Sequence, residues 1–156
     1  MPVEISAFFA PTRDRSDHIR LAEQLGFARA WCYESPLLYD DVFITLARAA
    51  ERTSRIGLGV GVLVPGLRAP VVTANALTSV AGLAPGRVAV AVGARFTGRF
   101  TLALPPVRMA RLAAEVIDLR TLLAGGEVAH PEGGASVRLI RVRWVSLKFE
   151  VATVSI

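Results

Sequence analysis

The chain has 156 residues, 53% of them hydrophobic, and a formal net charge of +5. That length buries roughly 70% of the unfolded surface in one compact body, falls short of the about 250 residues of a complete eightfold strand–helix barrel, and with so much apolar content excludes a disordered polymer. Seventeen arginines and one lysine, Lys148, are scattered rather than gathered into a stripe, so no nucleic-acid partner is expected, and no apolar run reaches the ~18 residues of a membrane helix, so no membrane partner is expected either.

Residues 3–9 read as a first strand, ended by Pro11. A first helix opens with Ser16 as N-cap, sets Ile19, Ala22 and Leu25 on one face and closes at Gly26. Residues 28–33 form the second strand, broken at Ser35-Pro36. Asp40 and Asp41 can cap a second helix that buries Phe43, Leu46, Ala47 and Ala50, with acidic charge at the positive end of its dipole.

The third strand is expected over residues 56–64. Pro70 suits the first turn of a third helix, whose Ala74, Leu77 and Ala81 recur at three- and four-residue steps before Ala84-Pro85-Gly86. Residues 88–92 are apolar throughout, as in a strand covered on both faces. A fourth helix over residues 106–123 carries the stripe Leu112, Val116, Leu119 and Leu123, and Gly125-Gly126 stops it.

Strand and helix thus alternate four times, the mark of a parallel sheet. Residues 1–126 are read as four such units and residues 127–156 as a separate tail. In the tail Gly133-Gly134 suggests a hairpin turn, and Val145, Leu147, Phe149 and Val151 alternate with polar residues, so it is strand-prone.

The amino terminus lacks the basic stretch and apolar core of a secretory signal, so the cytoplasm is the expected compartment. Cys32 is the single cysteine, without neighbours at metal-ligand spacing, and reads as a small buried hydrophobe; no metal is expected.

In a parallel barrel ligands sit at the carboxyl ends of the strands, which singles out four loops. Phe9-Ala10-Pro11 is either a ring wall or a simple strand end. Glu34, directly after an aromatic strand, is either a hydrogen-bonding or acid group for a ligand or a solvated turn residue. Gly59-Val60-Gly61-Val62 permits a bulge and close approach of backbone to a flat ligand, or is a plain bulged core strand. It is no dinucleotide fingerprint, because Val64 stands where the third glycine belongs. The loop 93–99 offers backbone donors at Gly93 and Gly98, the Thr97 hydroxyl and the Arg99 guanidinium to an anionic ligand. His18 and His130 are not read as catalytic.

Three segments, Trp31-Cys32-Tyr33-Glu34-Ser35-Pro36, residues 56–65, and residues 87–99 followed by Pro105-Pro106-Val107-Arg108, resemble the luciferase-like monooxygenase family and, within it, its deazaflavin-dependent oxidoreductases. The resemblance implies an α/β fold, the amino-terminal half of a TIM-type barrel with four parallel βα units followed by the strand-prone tail. It implies hydride transfer between coenzyme F420 and a small organic substrate, or, in the related variant, oxygen activation on FMN. It assigns catalysis to Glu34 and cofactor or anion contacts to Val60, Gly61, Val62, Gly93, Thr97, Gly98 and Arg99, with a non-prolyl cis peptide near Gly61-Val62.

Ala94-Arg95, Ala103-Leu104 and Met109 depart from the family pattern, and from Arg141 onward nothing resembles the family's fifth strand. A frameshift or premature stop would produce such a loss. A truncated half-barrel leaves strand edges open, so a homo-oligomer is expected. The rival reading is a non-catalytic truncated fragment that self-associates or pairs with a full-length homologue. A third, a small doubly wound binding domain, would need a further helix that the tail does not show.

Overall fold

Alternation of strands and helices runs through the chain as β1 (Ser6–Phe9), α1 (Arg15–Gln24), β2 (Arg29–Cys32), α2 (Val42–Arg52), β3 (Gly57–Leu63), α3 (Pro70–Leu83), β4 (Val88–Val92), α4 (Phe96–Phe100) and α5 (Met109–Leu123). A hairpin of β5 (Glu127–Ala129) and β6 (Ser136–Arg138) follows, then β7 (Lys148–Phe149). The computed structural model describes residues 3–94, 96–129, 136–138 and 148–149.

β1 to β4 pair in chain order, all parallel, and β7 joins β4 on its far side, so the sheet runs β1-β2-β3-β4-β7. The register sets Phe8 beside Trp31, Trp31 beside Gly59 and Gly59 beside Ala89. Consecutive parallel strands linked by covering helices make this a partial TIM-type barrel.

Because side chains alternate across a strand, each strand gives one set to the helices and one to the barrel interior. The outward set, including Ala30, Cys32, Leu58, Val60, Val88 and Val90, packs with Ile19, Leu46, Leu77 and Leu122 of the helices into one core. Every residue of β4 is buried, which is why it reads as an unbroken apolar run. The inward set forms a second, smaller cluster of Trp31, Ala89 and Ala91 with Val62 beside it.

Local signals explain most boundaries. Asp41 caps α2, its Oδ1 accepting from the amides of Phe43 at 2.8 Å and Ile44 at 3.3 Å. Pro70 opens α3, and Gly86 adopts the left-handed φ of +70° that the turn into β4 requires. Elsewhere the elements differ from the expectations. β1 begins at Ser6, and Asp14 holds the N-cap position of α1 without a side-chain cap bond, which leaves Ser16 buried within the first turn. The loop expected over residues 93–99 contains α4, and α5 starts at Met109 rather than at residue 106.

β5 and β6 pair antiparallel, with Val128 opposite Val137 and both packed on the core. The expected turn at Gly133-Gly134, His130, Arg95, and the tail beyond Arg138 apart from Lys148 and Phe149 lie outside the described residues. Among the described residues no helix is long and apolar enough to cross a membrane.

Candidate functional site

The inward face at the carboxyl ends of β1 to β4 is built on absent side chains. Trp31 of β2 lies across Gly59 and Gly61 of β3: a Cβ on those glycines would stand 2.3 and 2.9 Å from its ring. Phe8 stacks beside Trp31, centroids 6.3 Å apart at 16°, and beside Tyr33 at 6.5 Å and 18°. Tyr33 in turn meets Tyr39 at 6.5 Å. A row of four aromatic rings therefore runs from the interior to the loop that leads into α2.

Beyond Trp31 the Gly61-Val62 peptide bond is cis, at the position the resemblance implied. The pairing of β3 with β4 shifts register between Gly61 and Leu63. Val62 faces Gly93, where a Cβ would lie 3.2 Å from both of its methyl carbons. The structure thus brings Gly61, Val62 and Gly93 together into a shelf against Trp31, with Gly61 buried and Val62 and Gly93 half-buried. It does not bring the Val60 side chain there, because alternation turns Val60 outward, fully buried in the helix-facing core.

Glu34 is only 4% exposed, and its carboxylate faces inward to the protein. Oε2 accepts from the Val64 amide at 2.8 Å, and Oε1 accepts from Arg68 Nε at 3.1 Å. The same guanidinium donates to Asp41 Oδ2 at 2.6 Å and lies 5.1 Å over the Phe43 ring. Burial is the largest influence on both carboxyls and raises both. At Glu34 it outweighs the Val64 amide and Arg68, leaving the group above its ordinary value. At Asp41 the Arg68 pair and the two capping amides prevail and hold it below. A depression of about 190 Å³ opens beside this cluster, lined by Ser35, Pro36, Tyr39 and Arg68 among others.

α4 rests on the end of β2. Gly98 is buried there, and a Cβ on it would stand 3.0 Å from the Glu34 carbonyl oxygen, while Thr101 Oγ1 donates to the Pro36 carbonyl at 3.2 Å. Thr97 is exposed on this helix. Arg99, read from the sequence as a fixed cation for an anionic ligand, is turned inward and 6% exposed. Its Nε donates to the Pro105 carbonyl at 2.6 Å, and one terminal nitrogen donates to the Pro65 carbonyl at 3.4 Å. The arginine thus supplies donors to the carbonyls of two loops, the one after β3 and the one after α4.

Two features escaped sequence reasoning. Arg68 pairs with residues 34 and 27 positions away, a spacing that leaves no local signal. The aromatic row was half visible, since Trp31 and Tyr33 stand two apart and so share a face; adding Phe8 requires the strand register. His18 is exposed in the first turn of α1, its ring 3.2 Å from the Asp14 carbonyl.

Several solved structures share this fold. The coenzyme F420 dependent tetrahydromethanopterin reductase from Methanopyrus kandleri superposes with a TM-score of 0.75 at 24% identity, over 96% of this chain and 50% of that one. The monooxygenase RslO1 from Streptomyces bottropensis gives 0.73 at 21%, over 94% and 53%. The oxygenating constituent of 3,6-diketocamphane monooxygenase from Pseudomonas putida, a type II Baeyer-Villiger enzyme in complex with FMN, gives 0.71 at 14%, over 88% and 44%. The chain spans about half the length of these proteins. The sequence model of the luciferase-like monooxygenases matches residues 6–133, and the chain belongs to that family.

Proposed function

We propose that this chain carries the ring-binding part of a flavin- or deazaflavin-dependent oxidoreductase, with coenzyme F420 as the first choice and FMN as the alternative. The observation that carries the reading is the shelf of Val62 against Gly93, packed on Trp31, on which Phe8 stacks. A flat, apolar, partly open surface with side chains removed on one side fits a planar ring system. Bound there, the ring would supply hydride transfer to or from a small organic substrate.

The chain's own residues hold and orient. Gly61, Val62 and Gly93 give the ring its flat support, and the aromatic row shields one side from water. Thr97, exposed on α4, is the polar contact we assign at the rim. Gly98 lets α4 approach β2, and Arg99 ties the loop after α4 to the loop after β3. Support from outside the chain is the family itself, with an F420-dependent reductase and an FMN-bound monooxygenase among the similar structures.

Equilibrium dialysis of the folded chain against F420 and, separately, FMN tests the reading. Saturable retention of F420 in preference to FMN is the expected result, and retention of neither overturns it.

A second reading, a non-catalytic chain that associates with another copy or with a complete homologue, is favoured by β1. Among the described residues no strand pairs with its outer edge, and Phe8 is 59% exposed. Light scattering that gives twice the chain mass, together with no cofactor retention, selects this reading.

A further inference from the structure

We infer that Arg68 and Glu34 are positioning residues that hold the end of β3, and with it the Val62–Gly93 shelf, in the geometry the ring needs. The inference rests on the function proposed above and goes beyond it, because it moves Glu34 from chemistry to support.

The ladder between β2 and β3 ends at the pair Cys32 and Val60. Past that point, among the described residues, β2 and β3 no longer pair, while on the other side of β3 the Gly93 amide donates to the Leu63 carbonyl. The next inward amide, that of Val64, is buried and would be orphaned. Glu34 reaches across from the end of β2 and accepts from it at 2.8 Å, replacing the missing strand.

A buried carboxylate in that role must itself be held. Arg68 does so with its planar fork, one donor on Glu34 and another on Asp41, while the Phe43 ring lies against its face. Asp41 is fixed in turn because it caps α2. The line Val64–Glu34–Arg68–Asp41 therefore ties the ends of two strands to the start of a helix. The Glu34 backbone also carries α4 through Gly98, so one residue sets both the shelf and the rim that bears Thr97.

Both carboxylate oxygens of Glu34 are engaged by partners within the protein, and the group is 4% exposed. A role through the backbone of β3 accounts for its burial and for both partners.

The test uses Arg68→Ala, the milder Arg68→Lys, and Glu34→Gln, with amide hydrogen exchange mapped along the chain and F420 affinity measured in parallel. In Arg68→Ala, exchange over residues 62–64 and on α4 should rise about tenfold, the size of a lost charge-assisted hydrogen bond, while α1 and β4 stay unchanged. Glu34→Gln keeps an acceptor for the Val64 amide and should show the smaller change, and Arg68→Lys, a point charge unable to span both carboxylates, should fall between. F420 affinity should weaken by about the same factor in Arg68→Ala, and adding Glu34→Gln should weaken it no further, as for two parts of one device.

Unchanged exchange over residues 62–64, or a uniform rise through every element, overturns the positioning role. A local rise in a parent chain that binds neither cofactor supports the role and removes the proposed function instead.

Discussion

The six-membered ring of Trp31 stands 2.3 Å from the place where a Cβ on Gly59 would be. Gly59→Ala therefore forces the ring or the strand to move, and overpacking of this kind costs about 1–3 kcal/mol. Urea unfolding should show that loss. In a Trp31→Leu background the same substitution should cost much less, because the clash belongs to the pair.

Acid should act on Glu23. Its Oε1 accepts from the amides of Ser54, Arg55 and Ile56 at 2.9, 2.6 and 2.9 Å. Burial raises its pKa, but the three amides and the Arg55 charge together bring it below the ordinary value. A carboxyl lowered on folding adds stability above its unfolded pKa, and that stability is lost as pH falls through the folded value. Glu23→Gln should make the acid fall in melting temperature shallower, and an unaltered acid limb would contradict this.

Glu34 should act with the opposite sign. Burial raises it, so in the window between its ordinary and its raised value the folded chain keeps a proton that the unfolded chain has lost. Stability then declines as pH rises through that window. Glu34→Gln should remove the decline, as read from melting temperatures across the mildly acidic range.

Cys32 is fully buried in the helix-facing core, and burial pushes its thiol up to about 12, with the Arg15 charge offsetting a little. The thiolate is the reactive form, so the native chain should resist thiol reagents at mildly alkaline pH and react once unfolded. Full labelling of the native chain would contradict the burial of Cys32.

Removing the cap at α2 should be felt twice. Asp41→Ala takes an acceptor from the Phe43 and Ile44 amides, worth about 1 kcal/mol, and a partner from Arg68. Asp41→Asn keeps the cap and should recover part of the stability in the same unfolding measurement.

The fold was legible where local chemistry and long-range packing agree. β4 is apolar because both its faces are covered, and α3 follows Pro70 because the ring suits a first turn. Ser16 misled because a serine that suits a cap also fits inside a first turn, and here Asp14 takes the boundary. α4 was hidden by its shortness and by Gly98, whose role is to touch Glu34 rather than to break a helix.

At the site the glycines were readable and the charges were not. Gly61 and Gly93 announce close approach by lacking a side chain, whereas Glu34 and Arg99 look the same in sequence whether they face a ligand or the protein. Their partners, Val64, Arg68, Pro65 and Pro105, are set by tertiary structure.

The most direct test of the ring shelf is a fluorescence-anisotropy titration of coenzyme F420 with the parent chain and with Gly93→Leu, both checked for folding by circular dichroism. A side chain at Gly93 would grow against Val62 and fill the shelf. The expected result is saturable binding by the parent and its loss in the variant; a flat titration with the folded parent, or equal binding by both chains, would contradict the proposal.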